Sequence, residues 1–175
     1  LHELMPMDRF FYAYHDMPER LRELARHMDP VFEAILDACC ACSAEVVMWG
    51  ANFDRDLTVP RFFAGEMLPW LQRAAKRLHA AGKLMLCHTD GESTGLFELY
   101  RTSGMDVAES VCPAPMTERT LPEIREALGP HIAVWGGIPS VTLLDDAMDE
   151  RTYLAYIEQL LTELGTGQRL VLGVA

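Results

Sequence analysis

Five short apolar runs, each breaking abruptly into a polar or glycine-rich cluster, constrain this chain more than any other feature. They fall at residues 45–49, 84–87, 105–111, 131–135 and 169–172, each of strand length. Helical periodicity fills the intervals. Leu68, Leu71, Ala75 and Leu78 recur at steps of three and four, the mark of one buried helix face, with Pro69 in the first turn and Gly82 as the stop. A helix over 94–102 is closed by Gly104, and Thr120-Leu-Pro-Glu123 forms a capping box for a helix that stops at Gly129-Pro130. Residues 149–164 place Leu154, Ile157, Leu161 and Leu164 on one side of a last helix, ended by Gly165.

Strands alternating with helices of this length imply parallel pairing through right-handed crossovers. Two α/β architectures satisfy that pattern, a doubly wound sheet and a partial (β/α)8 TIM barrel. No Gly-x-Gly-x-x-Gly follows the first strand, which weakens the dinucleotide-binding version of the first. A whole barrel needs about 250 residues, so 175 residues would supply about five of its eight βα units. The chain opens on Leu1 rather than methionine and stops on a strand-like run at 170–175; we read it as one domain of a longer protein, incomplete at both ends.

The N-terminal part is less regular. Residues 1–16 are rich in aromatics and methionine without a clean period. Asp16 is expected to cap a helix with Pro18 in its first turn, running through Leu21, Leu24, Ala25 and Met28, and Asp29-Pro30 repeats the device for a second helix to about residue 42. Cys39, Cys40 and Cys42 resemble a metal motif but lie in an apolar helical pattern with Val31, Ile35 and Ala38, and no second pair stands at ligand spacing. They are read as small buried hydrophobes.

Charge and composition exclude several classes of function. With 26 acidic against 15 basic residues and a net charge of -11, the chain lacks the clustered cations that neutralise phosphates, so no nucleic-acid partner is expected. No apolar run is long enough to cross a bilayer and no signal-peptide order is present, and the odd count of 5 cysteines suits reduced thiols. These features lead to the expectation of a soluble cytoplasmic protein with a small or neutral partner.

The chemistry is expected where strands end. Residues 84–92 run from an apolar strand straight into His88, Asp90, Gly91 and Glu92, and in α/β proteins the C-terminal strand end is the functional one. A His-x-Asp pair there can hold a metal, relay a proton or bind a polar substrate. Cys87 alternates away from His88. Trp49, Asn52 and Asp54 end the first strand as candidates for a substrate wall, and Gly136-Gly137 would let backbone approach a ligand. Trp135 is expected in the core, and His79, in mid-helix, is expected to be structural or exposed.

A set of short motifs in order, Asp16-Met-Pro-Glu19, Val59-Pro-Arg-Phe-Phe63 with Leu68-Pro69, His79-Ala-Ala-Gly82, His88-Thr-Asp-Gly91, Gly104-Met-Asp106, Trp135-Gly-Gly-Ile138 and Leu172-Gly173, resembles the uroporphyrinogen decarboxylase superfamily. Its members are (β/α)8 barrels and include the haem-pathway decarboxylase and methyltransferases linked to corrinoids or coenzyme M. The chain is more similar to the methyltransferase branch, where a His-x-Cys-Gly turn supplies zinc ligands. The resemblance then implies catalysis by His88 and Asp90, with His88, Asp90 and Glu109 as the metal set, although Asp90 stands where the family has cysteine. It implies zinc as cofactor, a thiol as methyl acceptor, and a corrinoid, carried by a partner protein, as donor. Decarboxylation of a porphyrinogen is the alternative, with Arg55 and Arg61 the arginines within the visible loops. A barrel that binds a small molecule without turnover is the third reading.

Overall fold

The computed structural model describes residues 5–50, 52–144 and 146–175. The chain divides into two compact units, Leu1–Cys42 and Ser43–Ala175.

The first unit holds two helices, α1 (Met7–Asp16) and α2 (Pro18–Ala41); residues 1–4 lie outside the described residues. Phe10 is buried in α1, edge-on to Phe11 at 5.4 Å between ring centroids and stacked on Tyr14 at 6.3 Å. Asp16 does not cap α2. It is the last residue of α1, and Met17 makes the junction before Pro18. Pro30 does not restart a helix either, but sits inside α2. Interior proline forfeits a backbone hydrogen bond at a cost of about 3 kcal/mol, and one continuous stripe through Leu21, Met28, Phe32 and Leu36, the covered side of α2, runs across it. That stripe differs from the expected one. Val31 and Ile35 are exposed, Cys39 and Cys40 are half-buried and Cys42 is exposed, donating its thiol to the Cys39 carbonyl at 3.1 Å.

The second unit is built on a five-stranded parallel sheet in the order β1-β2-β3-β4-β5. The strands are β1 (Val46–Met48), β2 (Leu84–His88), β3 (Val107–Val111), β4 (Ala133–Ile138) and β5 (Leu170–Val174). This order decides between the two architectures. A doubly wound sheet reverses direction next to its first strand, whereas strands added always on the same side, each through a helix, make the progression of a (β/α)8 barrel. The fold is a partial barrel of that type.

Connecting helices cover one face. A short turn of helix, α3 (Pro60–Phe62), passes through a π-helical stretch, Phe63–Met67, into α4 (Leu68–Ala80), with Pro69 in the first turn. Leu71, Ala74, Ala75 and Leu78 are its buried face, with Ala74 in place of the half-buried Leu68 of the predicted stripe. After β2 comes α5 (Phe97–Ser103), after β3 α6 (Leu121–Leu128), and after β4 a 3-10 turn (Ser140–Leu143) and α7 (Glu150–Leu164). The predicted box at Thr120 and Glu123 is present, the Thr120 N–H donating to Glu123 Oε2 at 2.8 Å. Asp149 caps α7 by accepting from the Thr152 N–H at 2.8 Å. The buried side of α7 is rotated from the expected one, with Leu160 and Leu164 buried and Leu154 and Leu161 exposed.

Strand alternation sorts the sheet residues. Val47, Met85, Cys87, Ala108 and Val134 are buried against the helices. Phe53, Phe63, Phe97 and Tyr100 add an aromatic cluster, with centroids 5.1 Å apart for Phe53 and Phe63 and 5.6 Å for Phe63 and Tyr100. The opposite face, which a barrel turns inward, carries Val46, Met48, Leu84, Trp135 and Val171, all exposed. At the N-terminal end of the strands the polar groups are structural. Asp106 Oδ2 accepts the Met85 N–H at 2.7 Å and meets His79 Nε2 at 2.8 Å, and buried Lys83 donates to the Ala44 carbonyl at 2.6 Å. His79 therefore ties α4 to β3, as the structural reading expects.

Candidate active site

The strand register aligns one row across the inner face: His88 beside Glu109, Glu109 beside Trp135, and Trp135 beside Val171. Neighbouring strands stand about 4.8 Å apart, so the four side chains form a continuous band that crosses the inner face obliquely, from the C-terminal end of β2 at His88 to the N-terminal half of β5 at Val171. Within it His88 Nδ1 and Glu109 Oε2 are 2.6 Å apart, and the imidazole is about one-third exposed at 36%. A carboxylate only accepts, so the proton of this hydrogen bond belongs to Nδ1, and in the neutral imidazole Nε2 keeps its lone pair.

A bulge shapes this end of β3. Between Glu109 and Val111 the register slips by one residue, and Ser110 takes a positive φ of 60°. An L residue in that region is strained, and bulges of this kind re-aim neighbouring side chains beside functional sites. The turn after β2 is locked to the same place: Thr89 donates to the Glu109 carbonyl through its N–H at 2.8 Å and its hydroxyl at 3.0 Å.

The loops above the row are laced together. The loop after β1 follows the one after β2 through Phe53 N–H to the His88 carbonyl, 3.3 Å, and Arg55 N–H to the Glu92 carbonyl, 2.7 Å. Asp54 accepts from the Asp56 N–H at 2.6 Å and the Glu92 N–H at 3.1 Å. Glu92 in turn accepts from the Thr94 N–H at 2.6 Å and, across to the loop after β3, from the Glu118 N–H at 2.8 Å. Burial works against the charge on Glu92, but these hydrogen bonds and the Arg55 guanidinium outweigh it and bring its pKa below the usual carboxylate range. Arg55 completes the lacing with Glu118 at 3.2 Å and Asp56 at 3.5 Å.

The predicted site residues divide in this geometry. His88 and Glu109 come together, but Asp90 turns aside and accepts from the Cys112 thiol at 3.3 Å. Burial and this carboxylate push the Cys112 pKa up to about 11, so at neutral pH it is a thiol, not a thiolate ligand. Among the described residues no three His, Cys, Asp or Glu side chains are grouped so as to hold a metal ion. The donors present, His88, Asp90 and Glu109, thus do not fit the zinc site that the resemblance implies.

The expected substrate wall is placed differently as well. Trp49 is on the helix side, 6% exposed and stacked on Trp70 at 5.3 Å, in phase with Val47 rather than Met48. Its indole N–H and the Thr94 hydroxyl are the buried side-chain polar atoms without a hydrogen bond among the described residues. Asn52 is exposed on the rim and Asp54 organises the loop. Gly136 and Gly137 are buried, and what approaches them closely is protein. A Cβ on Gly136 would come within 2.6 Å of the Val111 backbone nitrogen, and one on Gly137 within 2.6 Å of Leu121 Cδ2.

Trp135 is the residue that sequence reasoning misplaced. Instead of entering the core it stands on the inner face, 45% exposed, beside Glu109. Its parity with Glu109 and His88 was the available signal. Cys112 is the partner that takes Asp90 away from His88.

No family model and no curated protein matches the sequence. Among solved structures, a methyltransferase from Methanosarcina mazei superposes with a TM-score of 0.72 at 16% identity, over 99% of this chain and 49% of that one. The chain spans about half the length of that structure, and the likeness shows the fold. No helix among the described residues is long and apolar enough to cross a membrane.

Proposed function

We propose that this is a methyltransferase-like enzyme in which His88, oriented by Glu109, takes the proton from a thiol acceptor at the C-terminal mouth of the barrel. The observation that carries this reading is the 2.6 Å contact between His88 Nδ1, at the end of β2, and Glu109 Oε2 on the adjacent strand β3. The fold shared with a methyltransferase supports the reaction class. Glu109 holds the imidazole in the tautomer whose Nε2 accepts a proton and favours the imidazolium that forms. The sulfur then attacks the methyl carbon, the bond from methyl to donor breaks, and its electron pair leaves with the donor. The proton stays on Nε2 until it passes to solvent.

The porphyrinogen decarboxylase alternative calls for available guanidinium groups to recognise many carboxylates; of the two loop arginines, Arg55 is paired with Glu118 and Asp56 and Arg61 is exposed. Methyl transfer to a small thiol is the assay, with methylcobalamin standing for the corrinoid class of donor and sulfonium and quaternary ammonium compounds for the simple ones. Positioned general bases contribute on the order of 10²–10⁴ in rate, so His88→Ala should lose roughly that factor. Glu109→Gln, which keeps the hydrogen-bonding shape and removes the charge, should lose about 10–100-fold. Metal analysis of protein purified without chelator runs alongside. Stoichiometric metal that disappears in His88→Ala would replace the proton-transfer pair with a metal centre, and absence of turnover with every donor would leave a binding barrel in its place.

A further inference from the structure

The inner-face row contains one large group that proton transfer does not use. Trp135 is 45% exposed and stands in register with Glu109 on one side and Val171 on the other. A Cβ on Gly173 would lie 3.5 Å from Trp135 Nε1 and 3.6 Å from Cδ1, so the pyrrole edge of the indole rests over a glycine and the ring leans toward the C-terminal mouth. Exposed indole next to a carboxylate is an unusual combination on a face otherwise lined by Val46, Met48, Leu84 and Val171.

We propose that Trp135 and Glu109 form the recognition site for the methyl donor, and that the donor is an onium compound, a quaternary ammonium or a sulfonium. This rests on the reading of the protein as methyltransferase-like and names its donor. The chemistry of the row selects the class. A cation fully substituted with carbon has no N–H to donate, so it needs an aromatic face, a nearby negative charge and an apolar floor, and tryptophan is the strongest of the aromatic partners. Trp135 supplies the face, Glu109 the charge, and Val171 the floor. An anionic donor would meet Glu109 directly. The net charge of -11 raises the local concentration of cations over the whole surface.

The same charge makes the ligand a methyl donor. When the thiolate attacks, the S–CH3 bond forms and the C–N⁺ or C–S⁺ bond breaks. The electron pair returns to nitrogen or sulfur, which leaves as a neutral amine or sulfide, and the acceptor's proton has gone to His88 Nε2. No electron is gained or lost overall. A sulfide product has lost the charge that held the donor to Trp135, which favours its release, whereas an amine product regains charge on taking a proton from solvent.

The probe pair is choline and 3,3-dimethyl-1-butanol, which differ in a cationic nitrogen against a neutral carbon. Titration is followed by indole fluorescence and calorimetry, with circular dichroism confirming that each variant is folded. Choline should bind saturably and at least tenfold more tightly than the alcohol. Trp135→Leu should abolish that preference, Trp135→Phe should keep part of it, and Glu109→Gln should weaken choline alone. Gly173→Leu, which crowds the indole without altering it, should reduce choline binding as well. Equal binding of the two probes, or an unchanged preference in Trp135→Leu, overturns the inference. Because binding needs no turnover, the two readings fail separately. Choline held through Trp135 without methyl transfer removes the enzyme and keeps the site, whereas thiol methylation by methylcobalamin that is indifferent to Trp135→Leu keeps the enzyme and removes the onium donor.

Discussion

Asp54 and Gly91 meet where the loops after β1 and β2 are joined, and a single methyl group would part them. A Cβ on Gly91 would come 2.0 Å from Asp54 Oδ2, and the glycine has a φ of 90°. A side chain there faces two penalties, about 1–3 kcal/mol for the left-handed backbone and the displacement of a carboxylate that accepts the Asp56 and Glu92 N–H groups. Gly91→Ala should therefore destabilise by roughly 3 kcal/mol in urea unfolding, near the upper end of that range. Adding Asp54→Ala should recover part of the loss, since residues in contact couple. Simple additivity of the two changes would show that the carboxylate is not the obstacle. At this scale the sequence was informative where chemistry breaks sharply from its surroundings. His88 stands out because a polar cluster ends an apolar strand, and it is at the site. Trp49 and Trp135 looked alike, each a tryptophan at a strand end, yet they occupy opposite faces, because strand parity sets the direction and strand limits uncertain by one residue reverse it. Asp90 could not be read at all without Cys112, which lies 22 residues away and reaches it only through the pairing of β2 with β3.

Between β1 and β2 the chain passes through a π-helical stretch, Phe63–Met67, before α4 begins. Gly65 lies inside it and has open space around it, with no atom within 4 Å of an added Cβ. It carries neither a positive φ nor a close approach, so its effect is entropic, a freedom lost on folding that alanine does not have. Gly65→Ala should stabilise by about 0.5–1 kcal/mol, read as a rise in the urea midpoint with unchanged slope. A fall would mean that the π-helical turn tightens around a neighbour. Elements were legible to the degree that local chemistry decides them. The capping box at Thr120 holds because its partner is three residues away. Helix 94–102 begins later, at Phe97, because Glu92 takes the Thr94 N–H and draws those residues into the rim. The bulge at Ser110 left no mark in the sequence, since serine is not the residue that a positive φ normally selects. Pro30 was misread for the complementary reason: a local signal to break was overridden by the burial of a stripe on both sides of it.

The sequential order of the five strands is the whole-molecule property that the alternation of elements could not supply, because both candidate architectures share that alternation. The order also places two thiols on the covered side of the sheet, with a consequence for the entire fold. Burial pushes the Cys87 pKa up to about 12, helped by the charge of Asp106, and burial with the Asp90 carboxylate pushes Cys112 up to about 11. Below the ordinary thiol range both folded and unfolded chains hold these protons, and stability is fully present. As pH rises past about 9, the unfolded chain releases them while the native state does not, so stability falls by about 1.4 kcal/mol per pH unit for each thiol. Glu92 acts at the opposite end, since its lowered pKa stabilises the rim above the usual carboxylate range and that contribution is lost as pH falls through its folded value. Urea midpoints measured from pH 3 to pH 10 should therefore form a plateau with two falling edges, the alkaline one amounting to roughly 2 kcal/mol between pH 9 and pH 10 for the two thiols together. Above pH 10 the phenol of Tyr100, whose pKa burial also raises, steepens the fall. Cys87→Ala with Cys112→Ala should lower the plateau through lost packing yet flatten the edge between pH 9 and pH 10. An alkaline edge of undiminished slope in that double variant would assign the loss to other groups and remove the thiols from the account of how this sheet is stabilised.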